Sequence, residues 1–242
     1  MKKTLCLVHA YVCVAVLLMA GQGYAEHFTA CLAEMPVGAE NQEKGILVDL
    51  VNRWAEVTGN EITITTYPFK RSIMNVKNKS CDFHLPLIEN PYKHPGNLDF
   101  DYSTSVILTT DFVLYTNKDH PIDVTHLERY NITTDAAHIE FFDFPIKGDF
   151  KIESSLKKLS AHRIDGYIYA NVPTEPVLLA LGLKNIKQQF YKSFNVRAVL
   201  PKGQKGGAAD RMITEAMEII KADGTWDRIM EHVNLKYTDW QP

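Results

Sequence analysis

GILVDLVNRWAEVTGNEITITTYPFKRSIMNVKNKSCDFHLPL, residues 45–87, decides the fold. Ile46, Leu47, Leu50, Val51, Trp54 and Val57 recur at the spacing of an amphipathic helix, and Gly59-Asn60 ends the pattern. ITITTY then alternates β-branched residues up to an aromatic, a strand that Pro68 stops. PFKRSIMNVKNKS returns to helical spacing with Ile73 and Val76 inward, and CDFHLPL is a second strand. Upstream, FTACLAE supplies a third. The product is a β-α-β-α-β unit, the arrangement of an open parallel sheet covered by helices. Such sheets receive ligands beyond the carboxyl ends of their strands, which singles out Glu34, Tyr67 to Arg71 and Leu87 to Tyr92.

Outward from that unit, the first 25 residues read as an export address. Lys2 and Lys3 precede the apolar run LCLVHAYVCVAVLLMA, and Gly23-Tyr24-Ala25 supplies small residues for a cut before Glu26. An uncleaved anchor is the alternative, because about 20 apolar residues span a bilayer. A lipid anchor is not expected, since Gln22 stands where the modified Cys would be needed. Without the leader, 24 Lys and Arg face 29 Asp and Glu, and a net charge near −5 disfavours nucleic acid and anionic membrane as partners. Cys31 and Cys81 remain, on the first and third strands of the unit. They are neighbours if the first strand lies between the other two, and export places them where disulfides persist, so a Cys31–Cys81 bridge is predicted. Two buried free thiols are the alternative. The histidines show no ligand spacing, so neither a metal nor a cofactor is expected.

Further along, ENPYKHPGNLDFDYS is loop, and the β-rich DFVLYTNKD before Pro121 reads as a strand leaving one domain for another. A smaller α/β pattern follows: NITT as strand, IESSLKKLSAHR as helix, IDGYIYA as strand and PTEPVLLALGL as helix. FNVRAVL is the return crossing, and ADRMITEAMEIIKADGTWDRIMEHV forms two helices broken at Asp223-Gly224, packing Met212, Ile213, Met217 and Ile220 on the first domain. The expected division is a leader over 1–25, lobe 1 over 26–115 and 200–242, and lobe 2 over 116–199. Phe141, Phe142, Phe144 and Phe150 read mainly as the core of lobe 2, and Arg197 as a hinge residue.

GILVDLVNRWAEVTG, YPFKRSIMNVKNKSCD, the LDFDYS-to-FVLYT passage, HRIDG, VLPKG and KADGTWDRIMEHV occur in an order spanning the mature chain. In this the chain resembles the exported, periplasmic solute-binding proteins of the polar amino-acid ABC transporters, family 3, with the type II periplasmic binding fold. The resemblance implies an α/β protein of two lobes, each an open mostly parallel sheet with flanking helices, joined by two crossing strands that close on a ligand. It implies a small-molecule solute and an inner-membrane ABC permease as partners, a monomeric chain and no catalysis. Two family features are missing. The Arg that usually holds a ligand α-carboxylate before the DFS-like motif has no counterpart in Tyr92, Lys93 and His94, and the usual Asp five residues beyond Asp165 is Ala170. An α-amino acid is therefore not the expected ligand.

The strongest site candidates are Tyr67, Phe69 and Arg71, which combine aromatic faces, a guanidinium and a helix first turn; the alternative is packing and a surface ion pair. Glu34 and Tyr92 fall at the cleft mouth. In lobe 2, Thr134, Asp135 and His138 follow one strand, and Tyr169 and Asn171 end another. Two other functions stay open: a sensory or scaffolding protein without ligand, and a dehydratase-like enzyme on the same fold using Glu34, His138 and Glu140.

Overall fold

The computed structural model describes residues 25–231 together with Val233 and Tyr237. Residues 1–24 of the expected leader lie outside the described residues. β1 (His27–Ala33), α1 (Ile46–Thr58), β2 (Glu61–Tyr67), α2 (Phe69–Lys77) and β3 (Phe83–Ile88) form the β-α-β-α-β unit. Gly59 terminates α1 in the left-handed region, φ 67°, where its N–H meets the Ala55 carbonyl. β1 lies between β2 and β3 and runs parallel to both. That order brings Cys31 and Cys81 together in a disulfide, Cα atoms 5.9 Å apart.

The chain continues through β4 (Phe100–Tyr102) into the long β5 (Leu108–Asn117), then β6 (Ile132–Asp135), β7 (Lys147–Asp149), α3 (Ile152–Ser160), β8 (Gly166–Ala170) and α4 (Asn171–Leu181). It returns along β9 (Ile186–Pro201) to α5 (Ala208–Ala222) and α6 (Thr225–Met230). Among the described residues the strands make one sheet in the order β2-β1-β3-β9-β5-β8-β6-β7, with β4 on β9. β5 and β9 are antiparallel and belong to both halves: β9 pairs with β3 on one side, and β5 with β8 on the other. The molecule is thus an α/β protein of two lobes sharing a pair of crossing strands. The return crossing is longer than FNVRAVL, because Ile186 to Phe190 also pair with Val113 to Asn117.

One apolar cluster packs α1, α5 and α6 on a face of lobe 1, with Trp54, Met212, Ile213, Met217 and Ile220 buried. A second runs from α2 across the crossing strands into lobe 2, so the lobes share a continuous core. Phe141 and Phe142 are buried in it and Phe144 packs against it. Phe150 departs from expectation at 78% exposed. Asp149 takes the inward position instead, accepting from Ser155 Oγ at 2.9 Å and pairing with Lys158 Nζ at 2.6 Å.

Candidate functional site

The carboxyl ends of β1, β2, β3, β6 and β8 converge where the lobes meet, and a cavity of about 70 Å³ lies there. Its floor is the crossing pair, through Leu108, Thr110 and Phe112 of β5 and Val196 of β9. Lobe 1 contributes Met35, Pro36 and Gly38 from the turn after β1, Ile46 and Leu47 from α1, Phe69 from α2, and Pro86 and Ile88 from β3. The turn is held by Met35 N–H on the Ala39 carbonyl (3.0 Å) and Leu47 N–H on the Gly38 carbonyl (2.9 Å). Gly45 makes this fold-back possible: its φ is 134°, and a Cβ there would lie 2.3 Å from the Gly38 oxygen. Lobe 2 contributes His138, Tyr169 and Ala170 at the end of β8, and Val172 and Pro173 in the first turn of α4. None of the described lining residues is Lys, Arg, Asp or Glu.

His138 is the centre of the junction. The chain turns after β6 by donating Ala137 N–H to Asp135 Oδ1 (2.8 Å) and His138 N–H to the Asp135 carbonyl (2.9 Å). The imidazole, 2% exposed, then meets four rings: Phe69 of lobe 1 at 4.8 Å, Phe112 of the crossing at 5.6 Å, and Phe141 and Tyr169 of lobe 2 at 5.5 and 5.6 Å between centroids. Its Nδ1 is buried without a hydrogen bond, 3.8 Å from Asp135 Oδ1. Burial, with Asp135 adding to it, pushes the Tyr169 phenol well above its ordinary value, so it stays protonated.

Phe69 is backed by a second buried imidazole, His84, at 5.3 Å. Burial pushes His84 down to about 3, against hydrogen bonds that favour its charged form. A carbonyl can only accept, so Nε2–H donates to Pro86 O (3.0 Å), and the neutral ring accepts at Nδ1 from Ser72 Oγ (2.7 Å).

Of the residues singled out by sequence, the structure brings Phe69, His138 and Tyr169 together around the cavity. Thr134 is fully buried in β6, outside the lining, with its Oγ1 unpartnered, Asp135 stands behind His138, and Asn171 is buried at the start of α4. Glu34 is exposed, outside the lining. Arg71 is also exposed and lays its guanidinium 5.3 Å from the Tyr67 ring, away from the cavity. Tyr92, 47% exposed, lies under Lys192 at 5.3 Å; its phenol is raised by burial and then by Asp143, to which it hydrogen-bonds. Beside it, Asn90 Nδ2 donates to the Glu140 carbonyl (2.9 Å) and Lys93 pairs with the Glu140 carboxylate, so the loop after β3 ties lobe 1 to lobe 2. Sequence reasoning missed Phe112 and Thr110. Their signal was the crossing strand itself, whose alternate side chains must face the cleft. Arg197 is pinned at the crossing by the Ser103 and Thr104 carbonyls (3.1 and 2.7 Å) and Glu89 (3.3 Å).

Two lobes on paired crossing strands, shut over a cavity at their strand ends, define a hinged binding protein. A family model for bacterial extracellular solute-binding proteins, family 3, matches residues 33–235, and the chain belongs to that family. Among solved structures it is similar to the GluR0 ligand-binding core from Nostoc punctiforme in complex with L-glutamate (15% identity, 86% of this chain and 100% of that chain, TM-score 0.70). It is similar also to a histidine kinase sensor domain with similarity to periplasmic binding proteins (13%, 86% and 95%, TM-score 0.70). A third is the arginine-, lysine-, histidine-binding protein ArtJ from Geobacillus stearothermophilus (14%, 89% and 97%, TM-score 0.67). At these identities the likeness is one of fold. No curated protein matches the sequence.

Proposed function

We propose that this chain is an exported, monomeric binding protein that captures a small solute other than an α-amino acid between its lobes and passes it to an inner-membrane ABC permease. In this reading residues 1–25 are a cleaved leader, 26–115 with 200–242 form lobe 1, and 116–199 form lobe 2. The observation that carries it is the interlobe cavity without a charged residue in its described lining. An amino acid's carboxylate and ammonium would each lose hydration worth several kcal/mol there, with no counter-charge to offset it. The first turns of α2 and α4 favour an anion by only about 0.3–1 kcal/mol, too little to reverse that balance. Membership of a solute-binding family supports capture. Of the three residues the dehydratase-like alternative would use, His138 lines the cavity, but Glu34 lies outside it and the Glu140 carboxylate pairs with Lys93, which leaves the imidazole without an acidic partner from that set.

A sensory role is the second reading, favoured by lobes that stand closed around their own aromatic rings and by the likeness to a sensor domain. A thermal-shift screen of the mature protein against amino acids, organic acids, aromatic compounds, nucleosides and sugars tests both. A ligand at about 100 times its Kd adds about 2.7 kcal/mol to the folded state, a shift of a few degrees. A shift confined to one class other than amino acids supports capture; silence across the panel supports the sensory reading. Mass spectrometry of the exported chain checks the leader, with Glu26 expected as the first residue.

A further inference from the structure

We propose that the solute is an uncharged, single-ring aromatic compound carrying one hydrogen-bonding group, of the phenol or azole type; the inference rests on the binding reading above. An ionised ligand finds no counter-charge in the described lining. Beyond the uncharged lining, the one imidazole facing the cavity already stands 3.8 Å from the Asp135 carboxylate, which repels a second anion, and His84 behind Phe69 is neutral. Shape selects a ring. Phe69, Phe112 and Tyr169 come from lobe 1, the crossing and lobe 2, and all present themselves to His138 edge-on or tilted, the geometries aromatic rings adopt around another ring. A flat ligand that slides beside or displaces the imidazole meets the same edges.

Polarity limits the ring to one polar function. Among the described lining residues only Thr110, Tyr169 and His138 carry polar side chains, and Nδ1 of His138 is turned toward Asp135, 3.8 Å away, so the imidazole offers a solute at most its other nitrogen. Size limits it to one ring. The cavity of about 70 Å³ is smaller than the roughly 150 Å³ apolar cavity that admits benzene, so a single ring enters after a small parting of the lobes, whereas fused rings demand far more.

Calorimetric titration of the mature protein with phenol, toluene, benzoate, L-phenylalanine and L-arginine tests this. Phenol is expected to bind at least 10-fold more tightly than benzoate or either amino acid. His138→Phe, which keeps a ring and removes the polar atoms, is expected to weaken phenol about 10-fold more than it weakens toluene. Ala170→Leu, which fills the cavity without removing a core side chain, is expected to abolish phenol binding and serves alone if His138→Phe fails to fold. Tighter binding of benzoate or an amino acid would overturn the ligand class while leaving solute capture in place. Equal losses for phenol and toluene in His138→Phe would overturn the role of the imidazole. No binding of any of the five, by protein whose circular dichroism shows it folded, would overturn the class. If the wider screen of organic acids, nucleosides and sugars is silent as well, the capture reading fails with it.

Discussion

Ser72 and the Pro86 carbonyl hold His84 in one tautomer, and burial keeps it neutral down to about pH 3. An unfolded histidine titrates near 6.5, so between those values the unfolded chain binds the extra proton and stability rises with pH. This contribution is complete above about pH 6.5 and is lost as pH falls toward 3. Urea denaturation at pH 7.5 and pH 5.0 should therefore differ by about 2 kcal/mol, and the difference should shrink in His84→Gln, which has no proton to take up. A pH-independent wild type would show that His84 is not held neutral. Neither imidazole's burial was legible in the sequence. CDFHLPL reads as a strand with one polar residue, and whether that residue faces water depends on α2 lying over it. The same limit explains Arg71: a rule about strand ends places Phe69 and Arg71 in one neighbourhood, but two residues along a helix turn the side chain by more than half a turn, and only the packing decides which of them enters the cleft.

The elements themselves were largely legible, because α1, α2 and α5 each carry a full apolar stripe and β1 to β3 are bounded by Gly, Pro and Asn. The three-residue strands β4 and β7 were not, since segments that short have no periodicity to read and exist only because a neighbour pairs with them. Two predictions belong at this scale. The Cys31–Cys81 disulfide closes a loop of 50 residues between β1 and β3, which in the chain-entropy account stabilises by about 4 kcal/mol. Denaturation of Cys31→Ala/Cys81→Ala should lose most of that; an unchanged midpoint would show that the β1–β3 pairing needs no covalent tie. Gly45 sits between the turn after β1 and α1 at a φ that L side chains avoid, with the Gly38 backbone against it. Gly45→Ala is expected to cost at least about 2 kcal/mol, whereas Gly59→Ala, at an open left-handed position, should cost about 1 kcal/mol.

Closure of the whole molecule rests on two kinds of contact, and their magnitudes rank them. The Lys93–Glu140 pair across the mouth is solvated, its side chains 41% and 71% exposed, and pairs of that kind contribute at most about 1 kcal/mol. Phe69 is 7% exposed and packs on His138 of the opposite lobe, and truncating such a ring typically costs about 3–5 kcal/mol. Parting the lobes would return much of that ring to water, so the aromatic contact is the larger force favouring the closed state. Small-angle scattering separates the two. Phe69→Ala is expected to enlarge the radius of gyration of the ligand-free protein, while Lys93→Ala and raised salt leave it unchanged, because screening acts on the exposed pair and not on buried rings. If Lys93→Ala or salt expands the protein as much as Phe69→Ala does, the ion pair holds the lobes together and the aromatic junction merely fills the space between them.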